Sequence, residues 1–419
     1  MVRRSGFFYG YVVVAAGFVI WLVGWGTYTP SFSVFFKPLI SEFGWSRAET
    51  SLAYSLSFLV LAGLGIVMGW LNDKLGPRKL VTGLGSFLGL CYLLMSQVRN
   101  LWQFHLNYII VGSIGASTIN VPVMVTLSRW FIRKRGLMIG IVQAGMGIGG
   151  FIFAPFAGWL ILHHGWRTAY VVLGVITLSG MITAGLFLKG DPRDMGQSPD
   201  GDTLHMAPGG RPSSPGLHSP GLFLGEAVRT RQFWVIAGLY GSFGFCRSTF
   251  LAHLAAHVQD LGFSLADGAN VLALVIGSSM LSRIGMGRIA DMIGNKPVFM
   301  MSFGATTLSL ILGLIARDLW TLYLFSFLFG FGWGNQAVLR FTVTSEVFGL
   351  ASLGVVIGVL SVAESIAATV GAYLAGYVFD VAGNYQMAFW AGIGVSMTGM
   401  ILAGLLKPLT PTSRPSHPR

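Results

Sequence analysis

Twelve apolar runs, each about twenty residues long and mostly joined by short connections, dominate the 419-residue sequence. They begin near Phe8, Thr50, Leu80, Leu101, Leu137 and Trp166, and again near Gln232, Ala266, Pro297, Leu319, Leu353 and Gln386. A bilayer core of about 30 Å needs a helix of that length. A helix also satisfies its own backbone hydrogen bonds where no water is at hand. With 10% of residues charged and 53% hydrophobic, the polar side chains are too few to coat a soluble protein of this size. The expected fold class is an all-α membrane protein with twelve transmembrane helices. Met1-Val2-Arg3-Arg4 leads straight into the first run, which is expected to stay as a span and not be cleaved as a signal peptide.

The sequence repeats itself. Gly69-Trp70-Leu71-Asn72-Asp73-Lys74-Leu75-Gly76 follows the second run, and Gly287-Arg288-Ile289-Ala290-Asp291-Met292-Ile293-Gly294 follows the eighth. One offset of 218 residues carries Gly69, Asp73 and Gly76 to Gly287, Asp291 and Gly294, and also Gly112 to Gly330, Gly140 to Gly358 and Gly165 to Gly383. A shared register across several spans points to two halves of parallel topology. The stretch 189–231 is rich in Gly, Pro, Ser and charge, a composition that reads as a flexible linker. The expected organisation is a six-helix bundle over 1–188, a linker over 189–231, a second six-helix bundle over 232–407 and a tail over 408–419.

Lys and Arg set the orientation. With the N-terminus inside, twenty of the 27 fall on the inner segments, Arg340 among them. Five (Lys37, Arg47, Arg99, Arg167, Arg317) fall on the outer loops, and two lie inside spans. Both termini and the linker are therefore expected to be cytoplasmic. The net charge of +12 is spread between the runs and not gathered in a stripe, which argues against nucleic acid as a partner. Cys91 and Cys246 lie within separate apolar runs and read as small core residues, so no metal or cofactor is expected. Gly145-Met146-Gly147-Ile148-Gly149-Gly150 fits the dinucleotide fingerprint in letters only. It lies in an apolar helical run and lacks the preceding strand such a site needs.

The motif Gly69-x-Leu71-x-Asp73-Lys74-x-Gly76-Pro77-Arg78-Lys79 and its weaker copy at Gly287–Asp291 resemble the loop signature of the major facilitator superfamily. Within it, the chain resembles the monocarboxylate-porter and oxalate/formate-antiporter branch. The residues concerned are Ser33-Val34-Phe35-Phe36-Lys37, Glu42-Phe43-Gly44-Trp45-Ser46, Arg129-Trp130-Phe131, Lys134-Arg135-Gly136, Gly165-Trp166-Arg167, Leu251-Ala252-His253-Leu254 and Asp260-Leu261-Gly262. The resemblance implies two pseudo-symmetric six-helix bundles in a bacterial inner membrane, acting as a monomer without enzymatic activity. It also implies a secondary active transporter of small monocarboxylates, lactate- or pyruvate-like, working by proton-coupled symport and alternating access. An organic anion exchanger of the oxalate/formate kind and an exporter of hydrophobic compounds are the alternatives. In the loop motif, Gly69, Asp73, Gly76, Arg78 and Asp291 are expected to latch helices at the cytoplasmic face.

Ionisable groups inside a span cost about 3 kcal/mol on insertion scales and so mark function. Arg247, Arg283 and Glu364 qualify, all in the second half. A guanidinium holds a carboxylate in a planar, bidentate, charge-assisted pair. The resemblance implies that Arg283, one turn before Gly287, binds the substrate carboxylate; a structural pair with Glu364 or an inner-end snorkelling arginine are the alternatives. Tyr28, Asn120, Gln143 and Asn335 are neutral groups able to reach the substrate, or to bond neighbouring helices instead. Glu364 stands where the oxalate carriers have a lysine. Substrate at Arg283 would loosen an Arg–Glu pair and let Glu364 take a proton, unless that pair is permanent. Arg247 is a further candidate for this coupling, or else a structural partner for Glu364. His253, a side chain type that ordinarily titrates near neutrality, is a candidate relay toward the outside or else a hydrogen-bonded structural group, with His257 nearer the interface. Pro30 and Ser279 occupy the places of a lysine and an aspartate in the animal carriers, so their proton route does not transfer.

Overall fold

The computed structural model describes residues 7–132, 134–201, 222–348 and 353–406, so the expected tail at 408–419 lies outside the described residues. Twelve long helices account for most of these residues. In the first half they are α1 (Gly10–Phe43), α2 (Arg47–Leu75), α3 (Pro77–Met95), α4 (Leu101–Trp130), α5 (135–164) and α6 (166–187). In the second half they are α7 (Arg231–Asp260), α8 (Leu265–Ile293), α9 (Asn295–Ile315), α10 (Leu319–Phe348), α11 (Leu353–Ala382) and α12 (Gln386–Gly404). Each starts within three residues of an apolar run's expected start. Large apolar side chains such as Trp102, Trp234, Trp320 and Met292 stay exposed on the outside of the bundle. For a chain with this little charge, that surface belongs in lipid.

The duplication extends to the punctuation of the helices. Ser46 caps α2 and Glu49 closes a capping box with it; 218 residues on, Ser264 and Asp267 do the same for α8. Asn100 caps the Gln103 N–H at the start of α4, and Asp318 caps the Thr321 N–H at the start of α10. Six of the seven described glycines at positive φ pair at the same offset: Gly44 (69°) with Gly262 (96°), Gly76 (77°) with Gly294 (91°), and Gly165 (80°) with Gly383 (70°). At Gly76 and Gly294, ψ near 157° completes a conformation that is essentially glycine-only. These positions turn one helix sharply into the next.

The linker differs from a freely flexible tether at both of its described ends. The Trp130 indole donates to the Lys189 carbonyl (2.7 Å), and Gln197 accepts from the Tyr9 N–H (3.0 Å). Asp200 accepts from the Ile132 N–H (3.0 Å). At the other end, the Leu222 N–H donates to the carbonyl of Phe348 at the end of α10 (2.9 Å). Short polar segments can dock when helix ends leave carbonyls and N–H groups to bond.

The halves meet along two crossings. On one, α5 packs on α8 through apolar contact, with Gly147 against Met280, Gly150 against Ile276 and Gly158 against Ala269. On the other, α2 packs on α11, and the Thr369 hydroxyl donates to the Ser55 carbonyl (3.0 Å). Between the crossings, α1 meets α7, where the Ala255 N–H donates to Ser33 Oγ (3.1 Å). These contacts run from the middle of the helices (Gly147 on Met280) toward their Arg47, Asp260 and Asp380 ends. Toward the Gly76 and Gly294 ends, Gly63 and Gly69 of α2, Gly140 of α5 and Gly358 of α11 have no packed neighbour within 4 Å among the described residues. Among the described residues, the packed contacts between the halves gather at one side, and these glycines of the other side stand in open space.

Candidate functional site

The ionisable groups of the second half gather near the depth at which the halves part. Gly244 lets α7 and α11 touch: a Cβ there would stand 2.4 Å from the Glu364 carbonyl oxygen. This close approach sets Arg247, about one turn on, beside Glu364. Arg247 Nη2 lies 3.4 Å from Glu364 Oε1, and Arg340 Nη1 donates to Glu364 Oε2. Glu364 is 8% exposed. The Phe243 ring lies between the two guanidinium groups, 5.5 Å from Arg247 and 4.5 Å from Arg340. On its other side, Arg247 faces Phe58 of α2 at 4.7 Å, so it reaches the first half.

Arg340 was counted above with the inner loop cations. The structure corrects this: it lies within α10, half-buried, with its guanidinium on Glu364. Hydropathy alone puts it outside because it lies only eight residues before the helix ends at Phe348. An arginine stem can carry its charge a full turn or more along a helix.

Arg283 shares a helical face with Ile276 and Met280, which contact the first half. It comes about one turn beyond the last of these contacts. It is half-buried, its guanidinium carbon lies 5.5 Å from the Trp333 ring centre, and its Nε is buried with no hydrogen-bond partner among the described residues. It makes no ion pair among the described residues. Two guanidinium groups thus hold Glu364, while a third, Arg283, lies against Trp333 with no carboxylate of its own among the described residues.

The neutral candidates divide. Asn120 and Gln143 are half-buried, with no hydrogen bond among the described residues. Tyr28 is 4% exposed and shares a hydrogen bond with Ser57 inside the first half (3.2 Å). Asn335 is 2% exposed and donates to Ser302 inside the second. In the loop motif, Asp73 pairs with Arg129 at 3.3 Å, Gly69 and Gly76 are placed as above, and Arg78 is exposed. The side chain of Asp291 lies outside the described residues.

The closed side holds a second cluster, most of it unforeseen. Arg47, at the start of α2, grips Asp260 at the end of α7 with both terminal nitrogens (2.6 and 2.9 Å), and Lys37 joins at 3.1 Å. The Arg47 and Ala48 N–H groups donate to the two oxygens of Asp380 on α11 (2.9 and 2.7 Å). A carboxylate of one half thus caps a helix N-terminus of the other. The Arg47 guanidinium stacks 3.5 Å over Phe379 and donates to the Tyr385 hydroxyl. His253 lies behind Tyr385, 3% exposed, away from the arginine cluster. The pairing of Arg47 with Asp260 spans 213 residues, so no local pattern signals it.

The profile of the Major Facilitator Superfamily matches residues 13–297 and 278–419. Monocarboxylate transporter 13 of Bos taurus is 28% identical over 416 residues, covering 97% of this chain and 92% of its own. Monocarboxylate transporter 4 of Rattus norvegicus is 25% identical over 379 residues, covering 88% and 77%. A solved bacterial homologue of the human lysosomal transporter Spinster, inward-facing and occupied, has the same fold, with a TM-score of 0.72 at 15% identity, covering 94% of this chain and 96% of that one. The chain belongs to the Major Facilitator Superfamily and is a multi-pass membrane transporter, not an enzyme.

Proposed function

We propose that this transporter carries small monocarboxylates of the lactate and pyruvate kind by alternating access. The observation that carries this reading is Arg283, a half-buried guanidinium with no carboxylate among the described residues, set where the halves part. A positive charge in that position attracts an anion, and its planar donors match a carboxylate. Asn120 and Gln143 are the neutral groups left to reach the rest of the substrate. The names of the relatives support the same substrate class. Excess Lys and Arg on the inner segments supports an inner membrane with both termini cytoplasmic, which makes the open side the cytoplasmic one.

Coupling to a proton rests on Glu364: an anion drawing Arg247 or Arg340 away would let the carboxylate protonate. Exchange without protons is the second reading, favoured because Glu364 is held by two guanidinium groups and not one. Counterflow of labelled lactate and pyruvate into proteoliposomes tests the substrate class. Uptake should be saturable and should fall sharply in Arg283→Lys. Uptake equal in parent and variant removes the reading. Uptake that needs internal anion and ignores an uncoupler selects exchange.

A further inference from the structure

The hydrogen bonds behind Arg47 can run in only one direction. His253 Nε2 lies 2.9 Å from the carbonyl oxygen of Ala372 on α11, and a carbonyl only accepts. Nε2 therefore carries the hydrogen, and in the neutral ring Nδ1 is bare. Nδ1 accepts the hydroxyl hydrogen of Tyr385 at 3.2 Å. The Tyr385 oxygen in turn accepts from Arg47. The chain runs from Arg47 in the first half, through Tyr385, the residue just before α12, and His253 of α7, to the backbone of α11. It is a polar tie across the closed side.

A proton on Nδ1 reverses one link. Two donors then face each other at Tyr385, and the hydroxyl hydrogen has to leave the chain. The ring also gains a positive charge near the Arg47 guanidinium, in a place with little water to spread it. The other elements packed here contribute Phe36 of α1, edge-on to the ring at 4.9 Å, together with Lys37, Asp260, Asp380 and His257. Asp260 and Asp380 are already engaged by Arg47 and the start of α2.

A route from the closed face leads to this ring. A cavity of about 120 Å³ is lined by His257, Asp260, Arg317, Asn384 and Tyr385. A smaller one of about 10 Å³, lined by His253 and Thr249, shares His257, Tyr385 and Phe389 with it. His257 borders both, and its Nε2 is buried with no hydrogen-bond partner among the described residues. An imidazole between two cavities can pass a proton from one nitrogen to the other.

We propose that His253 is a proton-binding residue of the outer gate, loaded from the outer face past His257, and that its protonation breaks the Tyr385–His253 link, weakens the tie between Arg47 and the second half, and favours opening of that side. The inference concerns the gate alone and holds whichever anion is carried.

Spin labels at Ser41→Cys and Trp320→Cys, both exposed near the outer ends of opposite halves, report the opening in the full chain in lipid nanodiscs without substrate. Between about pH 8 and about pH 5.5, the histidine range, the ratio of long to short distances should rise about tenfold, as expected for losing a charge-assisted hydrogen bond. His253→Gln keeps a neutral donor and acceptor and should stay closed at both pH values. Tyr385→Phe cuts the tie and should be more open at both. A pH-independent parent, or the same shift in His253→Gln, overturns the proposal. Because no anion is present, failure of counterflow leaves this measurement unaffected.

Discussion

Glu364 lies between two guanidinium groups, accepting from Arg340 at one carboxylate oxygen and standing 3.4 Å from Arg247 at the other. The three belong to α11, α10 and α7, so one carboxylate joins three helices of the second half. Arg283 on α8 completes the set and has no such anchor among the described residues. The difference between an anchored and an unanchored arginine makes the roles separable by experiment.

Glu364→Gln removes the charge while keeping the shape, leaving Arg247 and Arg340 facing a neutral amide. Breaking a buried pair by removing one partner costs about 3 kcal/mol or more. The melting temperature in detergent should fall clearly, and pyruvate should restore more of it than in the parent, because an added anion takes the place of the lost one. An unchanged melting temperature would show that the pair is not structural.

Arg283→Gln should behave in the opposite way. No carboxylate loses a partner, and a desolvated charge is removed, so stability should hold or rise slightly while counterflow is lost. Arg283→Lys keeps the charge but not the planar fork. Its KM for lactate should rise about tenfold, the effect of losing one good hydrogen bond to a charged group. Melting curves and counterflow on the same preparations check both.

Much of the frame was legible in the chain. The 218-residue register found in a handful of glycines extends to the capping boxes at Ser46 and Ser264 because local turn chemistry fixes helix ends. Side-chain pairing was not legible in the same way. Arg47 looks like an outer-loop cation until α7, α11 and α12 bring Asp260, Asp380 and Tyr385 to it. The partner of His253 is a backbone carbonyl, which every residue carries. Asn335 and Tyr28 look like cleft donors in sequence, yet Ser302 and Ser57 stand closer within their own halves.

Asp380→Asn tests the cap that crosses between the halves. The amide keeps one oxygen but loses the charge that favours the start of α2, worth about 1 kcal/mol or somewhat more when partly buried. Ser51→Cys, buried in the closed crossing next to Gly376, should react several-fold faster with an impermeant thiol reagent applied from outside when Asp380→Asn is present. Equal rates would show that the cap does not hold the closed side.

Gly76→Ala and Gly294→Ala place a Cβ on backbone at φ of 77° and 91°. The strain is about 1–3 kcal/mol each, so both variants should melt a few degrees lower. Gly358→Ala, on helical backbone with nothing within 4 Å, should be neutral or gain up to about 1 kcal/mol. Scanning calorimetry or a thiol-dye melt distinguishes the three.

The two crossings between the halves are unlike, and the difference constrains how the molecule can move. Where α5 lies on α8, small residues meet Met280 and Ile276 without directional bonds, so the surfaces can roll while staying in touch. Where α2 lies against α11, ions and aimed N–H groups hold or let go. Access to the outside would then come as a swing: the glycine-lined edge serves as pivot and the Arg47 edge travels, so the mouth opens first beside Asp380 and Tyr385.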